Sequence, residues 1–598
     1  MILPKPKKIV QKQNFFDIKK PISINYSEDL TDLKVIVDEY FNFKYGEKSN
    51  ELVFTKVEDL AQEEYCLDIS ETKIEVFYND YRSAVFALMS LYQLLDDKIP
   101  CQIVSDKPDL ALRGFMLDIS RDKTPKMETI KTFIDYMMML KMNHLELYVE
   151  GFSLQLPSFP NLPYETPLTP EEYQELERYS AVRGVDLVPN INTFGHMTKW
   201  LELDEYHDLA ECENGYERIG HHYPASTLNP LDERSIKLAQ KIVEDVLSFS
   251  KSTIFNINGD EPFELGLGKS KAACEKLGIG QVYIDFIAKV AETVLKNNRE
   301  VLVWGDVLAK HPEMVPDFPK NLTVVEWGYN YNHDFDLRTK RLSENNLNFI
   351  LAPGTSSWNS FAYRHLDMLG SVDRANEALK KYGGKGMLIA DWGDNGHPQP
   401  HIFSFTGLAY SASETWTMQK NYQPVEEWLK KYVFTEYSNQ AEIVRALGEY
   451  SAMEDNYVSN GTGIFRSWMM AGFYPNDSLK EQFDFWKKSL NNVALNQETA
   501  QEIIERIEFI IEKVQGDSLI DKELILSGRM IKLSAMLNDM INNDTNALTE
   551  AKNLLKEVKK DYEIIWLKRS RVGGLKSSMR RIEKIEEFLN NWNELNSK

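Results

Sequence analysis

The sequence predicts a mixed α/β protein built on a (β/α)8 barrel, with a small α/β domain before it and an α-helical domain after it. Three observations carry that prediction. Between residue 112 and about residue 395, eight short apolar runs are separated mostly by amphipathic helical stretches. Ahead of them, strand-like runs are mixed with one clear helix. Beyond about residue 420 the strand-like runs stop and only helical periodicity remains. The domains expected from these shifts are 1–105, 106–418 and 419–598.

In the first segment, "KVIVDEYF" and "KIEVFYN" read as short strands, and "DYRSAVFALMSLYQLLDD" reads as a helix. Its Ala84, Leu88, Leu91, Leu94 and Leu95 recur at helical spacing and make one apolar face. The barrel strands are "RGFMLDIS", "MNHLELYV", "VDLVPNIN", "STIFNIN", "EVLVWGD", "LTVVEWG", "NFILAPG" and "GMLIADWGD". Many of them end in polar or aromatic residues: Asp118, Glu150, Asn192, Asp260, Glu261, Asp306, Trp327 and Trp392. Active sites of this fold sit at the C-terminal rim of the strands, so those endings are where chemistry is expected. In the third segment, "ETAQEIIERIEFIIEKV" and "AKNLLKEVKKDYEIIWL" carry apolar stripes suited to an antiparallel helical bundle.

Composition narrows the function. Hydrophobic residues make up 43% of the 598-residue chain, ample for large cores. A net charge of −22 argues against nucleic-acid binding, which needs clustered Lys and Arg; "KPKK" and "KRSRVGGLKSSMRR" are short exceptions. Four widely spaced cysteines and ten scattered histidines give neither a disulfide framework nor a zinc motif, and His221–His222 reads as a loop feature. No metal or other cofactor is called for. No apolar run is long enough for a signal peptide or a membrane span, so the chain is expected to be cytoplasmic and not membrane-bound. The long C-terminal helices could pair two subunits as a homodimer.

"NGDEPFELG" at 258–266 is the most informative stretch. Neighbouring residues on a strand face opposite ways, so Asp260 and Glu261 could not both face a pocket from a regular ladder. Gly259 frees the backbone and Pro262 ends the pairing, which allows both carboxylates into the barrel mouth. The one nearer apolar walls is expected to have a raised pKa and act as an acid while the other stays ionised, a division that suits glycoside hydrolysis. Trp304, Trp327, Trp358 and Trp392 lie at or just past the ends of strands five to eight, where indole walls suit the C–H face of a sugar ring.

"LRGFMLDISRDKTPKMETIKTFIDYMMMLKMNHLELYVE" and "NINGDEPFELGLGKS" resemble glycoside hydrolase family 20, the exo-acting β-N-acetylhexosaminidases. "YNDYRSAVFALMSLYQLL" is similar to the end of that family's small N-terminal domain, and "RVGGLKSSMRRIEKIEEFL" to the C-terminal helices of its streptococcal-type members. The resemblance implies retaining hydrolysis of terminal N-acetylglucosamine, and of N-acetylgalactosamine in some members, assisted by the substrate's own acetamido group. It implies Glu261 as general acid/base, Asp260 as the group that orients the acetamide, and Tyr329 as donor to the acetamido oxygen. Arg113 corresponds to the family's strand-one arginine, which holds sugar hydroxyls, and Asp394 of "DWGDNG" to a further hydroxyl contact. Trp304, Trp358 and Trp392 would wall the pocket. His196 either tunes the acid pair through a hydrogen bond or is structural.

Departures from the wider family fall at Asn190 and Asn192 of "PNINTFGHM", at Tyr148 and Glu150 of "HLELYVEG", and at Asp394. They bear on the outer hydroxyl contacts and so on sugar preference. Two other readings stand beside the main one: another acetamido-assisted glycosidase, acting on N-acetylgalactosaminides or O-linked N-acetylglucosamine, and a non-catalytic sugar-binding protein.

Overall fold

The computed structural model describes residues 1–46, 50–96, 98–218, 221–473, 477–543 and 546–596. The first layer is a six-stranded mixed sheet, ordered Lys8–Phe16, Ile99–Asp106, Tyr65–Ile69, Lys73–Tyr78, Asn50–Lys56, Ile22–Asn25. The helix Tyr81–Gln93 begins in a capping box, in which the Asp80 carboxylate accepts from the Ser83 amide and the Ser83 hydroxyl accepts from the Asp80 amide. It packs on this sheet with one side and on the first barrel helix, Met127–Met139, with the other. That is why Val85, Phe86 and Met89 are buried along with Ala84, Leu88 and Leu91 of the expected face, whereas Leu94 and Leu95 follow the helix and are half-buried. "KVIVDEYF", expected as a strand, lies mostly within the helix Leu33–Tyr40, because Leu33, Ile36 and Val37 recur at helical spacing and share one buried face.

The barrel strands are β1 (Leu112–Asp118), β2 (His144–Val149), β3 (Asp186–Ile191), β4 (Ile254–Asn256), β5 (Glu300–Trp304), β6 (Leu322–Trp327), β7 (Asn348–Ala352) and β8 (Gly386–Asp391). All pair in parallel and the ring closes, β8 with β1 and β3 with β4. Buried on both sides, these strands read as nearly continuous apolar runs. Met116, Leu302, Val325, Ile350 and Leu388 fill the interior. One carboxylate is also buried there: Glu146 accepts from the side-chain amides of Asn190 (2.7 Å) and Asn256 (3.0 Å) and pairs with His144 (2.8 Å). Asn258 in turn donates to Asn190 (2.8 Å), so a polar thread inside the barrel ties β2 and β3 to the loop that carries Asp260 and Glu261.

The helix Ser404–Thr417 packs against β8 and β1 and stops where Met418 turns left-handed. The remaining chain is helical, its longest elements being Leu519–Asn542 and Leu548–Arg569. In Gln497–Ile511 the buried stripe is Ala500, Ile503, Ile507 and Ile510. Among the described residues no helix is long and apolar enough to cross a membrane, and no group of three or more His, Cys, Asp or Glu is placed to hold a metal ion.

Candidate active site

The site forms where β4 ends early. Asn258, Gly259 and Glu261 all adopt left-handed backbone conformations, with φ of 67°, 84° and 45°. A side chain on Gly259 would meet Ile287 at 2.7 Å, so the turn needs glycine on two counts. Glu261 has no such freedom, and a glutamate held there signals a turn fixed by its surroundings. Those surroundings are the Asp306 carboxylate, 3.3 Å from the Glu261 amide, and the Tyr283 hydroxyl donating to the Gly259 carbonyl at 2.9 Å. Gly195 comes so close that a Cβ there would lie 2.1 Å from the Asp260 carbonyl.

The left-handed turn brings both acids to one side, where His196 joins them. Its Nε2 lies 3.3 Å from Asp260 Oδ2 and 3.4 Å from Glu261 Oε2, and its Nδ1 is 3.6 Å from Glu150 Oε2. Burial opposes a charge on the ring, but Asp260, Glu261 and Glu150 outweigh it and raise the His196 pKa well above 6.5. His196 is therefore a working member of the acid cluster. Burial pushes Glu261 upward, but His196, then Lys310 and Arg218, bring it below its ordinary range. The expectation of a raised acid is thus corrected for the free protein: a cationic imidazole overrides desolvation. The displaced group is Asp306, pushed up to about 6 by burial and by the nearby Asp260 and Glu261 charges against the pull of Lys310.

The aromatic residues meet at the same mouth. Tyr329 is stacked on half-buried Trp327 (5.1 Å, 13°) and stands edge-on to Trp358 (5.0 Å, 89°). Trp304 and Trp392 lie 5.6 Å apart. The Trp392 indole N–H donates to the Tyr329 oxygen at 2.8 Å, which leaves the phenol's own hydrogen free for another acceptor. Trp358 donates to Asn460 Oδ1 at 3.0 Å, so the helical domain reaches the rim. Asp260 Oδ1 and Trp304 Nε1, like Asn192 Oδ1 and Asn258 Oδ1, are buried polar atoms without a partner among the described residues.

Arg113 is not in the site. As the second residue of β1, it lies at the opposite end of the barrel from the β1 terminus, about 16 Å along the strand. Its buried guanidinium pairs with Glu63 at 2.6 Å and donates to the carbonyls of Leu110 and Lys141, sealing the N-terminal domain to the barrel base. The arginine at the mouth is Arg121. It pairs with Asp118 (2.9 Å), Glu150 (3.1 Å) and Asp394 (3.3 Å), and its guanidinium lies 5.0 Å from the Tyr148 ring centre and 4.8 Å from that of Trp392. Burial disfavours its charge, but Tyr148, Glu150, Asp118 and Asp394 hold it firmly protonated. The signal for it was present: Arg121 follows the strand-ending Asp118 by three residues, on the rim where chemistry belongs. Glu264 is buried and accepts from the Ser226 amide and hydroxyl.

The sequence model of the glycosyl hydrolase family 20 catalytic domain matches residues 111–378, from the start of β1 past β7. That stretch of the barrel is thus similar to the catalytic domain of glycosyl hydrolase family 20. A β-hexosaminidase of Akkermansia muciniphila is 30% identical over 165 residues, covering 24% of this chain and 33% of that protein. β-Hexosaminidase A of Caenorhabditis elegans is 23% identical over 403 residues, 59% of this chain and 70% of that one. The chain thus spans about a third of the first relative's length and about two thirds of the second's. Among solved structures, Flavobacterium johnsoniae chitobiase matches with a TM-score of 0.60 at 18% identity, over 98% of this chain and 99% of that one. An exo-β-N-acetylglucosaminidase of Vibrio harveyi, in complex with N-acetylglucosamine, matches with a TM-score of 0.59 at 18% identity, over 75% and 78%. At such identities the structures speak for the fold, which this barrel shares with both.

Proposed function

We propose that the protein is a retaining exo-β-N-acetylhexosaminidase that removes a terminal N-acetylglucosamine, and N-acetylgalactosamine where the mouth admits it, with the sugar's own acetamide as nucleophile. The observation that carries this reading is a matched donor and acceptor. Buried Asp260 Oδ1 has no partner among the described residues and suits an amide N–H, while the Tyr329 hydroxyl accepts from Trp392 and keeps its hydrogen for a carbonyl oxygen. An acetamido group presents both.

In the first step, the acetamido oxygen attacks the anomeric carbon and the bond to the leaving oxygen breaks. Glu261 passes to that oxygen the proton that the cluster holds on the His196 imidazolium, 3.4 Å from its Oε2, and Asp260 stabilises the positive charge that develops on the amide. In the second, the Glu261 carboxylate takes a proton from water as the water oxygen displaces the acetamide from the same carbon, so configuration is retained after two inversions. Trp304, Trp358 and Trp392 exclude water from the oxazolinium ion. Arg121, Glu150 and Asp394 form the polar rim that would receive the outer hydroxyls and so set gluco or galacto preference.

Hydrolysis of 4-nitrophenyl N-acetyl-β-D-glucosaminide, with a thiazoline analogue as inhibitor, tests the reading. Turnover, strong inhibition by the thiazoline, and loss of most turnover on poor leaving groups in Glu261→Gln are expected. Sugar binding without turnover would instead make the protein a carbohydrate-binding member of the fold. A thiazoline that binds no better than the free sugar would rule out assistance by the acetamide.

A further inference from the structure

Beside Glu261 lies a guanidinium that the proposed reaction does not use. Arg218 ends one strand of a hairpin, Tyr216–Arg218 paired with His221–Tyr223, in the connection that follows β3. Its Cζ lies 3.4 Å from the ring centre of Phe263, two residues past Glu261. The Lys310 ammonium lies 5.1 Å from the same ring. Behind Phe263, Tyr216 lies near-parallel at 6.5 Å and in turn stacks on Tyr223 at 5.7 Å, so aromatic rings brace the platform.

Arg218 has no hydrogen bond or ion pair among the described residues, and the nearby carboxylates are engaged elsewhere. Glu217 pairs with His222 at 2.9 Å, Glu264 accepts from Ser226, and Asp306 pairs with Lys310 at 2.8 Å. Among the carboxylates, Glu261 feels its charge, as Arg218 is one of the cations that hold that carboxyl down. In a chain of net charge −22, a cation stacked on a ring beside the acid and left without a counterion is the reverse of what solvation alone arranges. Stacking occupies the guanidinium face and leaves its in-plane N–H donors for a planar or tetrahedral anion.

We propose that Arg218, on its Phe263 platform, forms a subsite for an aglycone bearing an anionic group, a carboxylate or a sulfate ester, on the sugar next to the cleaved bond. This rests on the hexosaminidase reading, since Glu261 must protonate the oxygen leading to that sugar. Arg121, Glu150 and Asp394 take the opposite, non-reducing end, so the two polar clusters select different halves of the substrate. Lys310 adds long-range attraction but is committed to Asp306.

The test uses the full chain and three matched disaccharides, N-acetylglucosamine β-linked to glucose, to glucuronic acid and to 6-O-sulfoglucose, which differ only at C6 of the second sugar. At least one anionic substrate is expected to exceed the glucose one in kcat/KM by about 10- to 100-fold, the range of one charged hydrogen-bonded contact. Arg218→Gln should bring that ratio to about one, and Arg218→Lys should keep part of it. Which anionic arm responds identifies the group as carboxylate or sulfate. Added salt should lower the wild-type ratio. A wild-type ratio of one or less, or a ratio untouched by Arg218→Gln, overturns the subsite while the 4-nitrophenyl glycoside still reports hexosaminidase activity. Failure to cleave that glycoside as well overturns both.

Discussion

Replacing Arg121 and Arg113 separately with alanine distinguishes the two ends of β1. Arg121 meets three carboxylates, Asp118, Glu150 and Asp394, between 2.9 and 3.3 Å and lies over two aromatic rings. Its loss would leave those carboxylates facing one another at the mouth and would remove one or two charge-assisted contacts to sugar hydroxyls. At about 1.5–3 kcal/mol for each contact, the loss in transition-state binding is about 1.5–6 kcal/mol, or roughly 10- to 25,000-fold in kcat/KM. Arg113 is different in kind. It is fully buried against Glu63 at 2.6 Å, and removing one partner of such a pair costs about 3–5 kcal/mol of stability. For a barrel of this size that is a fall of roughly 6–15 °C in Tm, with kcat/KM per folded molecule within about three-fold of wild type. Initial rates on the 4-nitrophenyl glycoside, read well below each variant's melting transition, and scanning calorimetry separate the cases. The argument fails if Arg113→Ala, still folded, loses turnover as Arg121→Ala does, or if Arg121→Ala turns over like wild type.

The remaining predictions concern the acid cluster and the acetamide clamp. Tyr329→Phe keeps the stacking on Trp327 but removes the acceptor of the Trp392 N–H and the donor to the acetamide; kcat should fall about 100-fold while KM changes less than ten-fold, and an unchanged kcat would remove Tyr329 from the reaction. His196→Gln tests the shared proton. Because the carboxylates around it raise the imidazole pKa well above 6.5 despite burial, the cluster keeps a proton at neutral pH, and the alkaline limb of kcat/KM should belong to the cluster and lie above 6.5. Glutamine carries no charge, so that limb should move to lower pH; a limb that stays in place assigns it to another group. The stability His196 supplies has the matching sign, full below about 6.5 and lost as pH rises through the raised value, so wild type and variant should differ most in Tm on the acid side.

What could be read from the sequence, and what could not, follows from the range over which each feature is determined. The eight barrel strands are visible because a parallel strand buried on both faces is apolar throughout and then stops at a polar residue, a signal contained within a few residues. The acid pair is visible for the same reason: Gly259 and Pro262 on either side of Asp260 and Glu261 announce a broken ladder, and the φ values of 84° at Gly259 and 45° at Glu261 are its realisation. "KVIVDEYF" misleads because its β-branched residues favour strand locally, whereas its buried residues Leu33, Ile36 and Val37 recur at helical spacing. The arginine assignment fails through a different cause. Both Arg113 and Arg121 flank the same strand, and residue type alone does not say which end faces substrate; strand polarity does, and it selects the residue beyond Asp118. Asn460 and Arg218 lie outside any local rule. One arrives from the helical domain and the other from a hairpin that folds back over Phe263, so their place at the rim depends on contacts between segments about 100 and 45 residues apart in the chain. The proposed acid pair and the polar rim of Arg121, Glu150 and Asp394 are set by strand ends and follow from local pattern, whereas Asn460 and the proposed Arg218 subsite sit on long connections and become visible only in three dimensions. To alter the choice of aglycone the residue to vary is therefore Arg218, and to alter the choice of terminal sugar the strand-end rim, with the Asp260–Glu261 turn left intact.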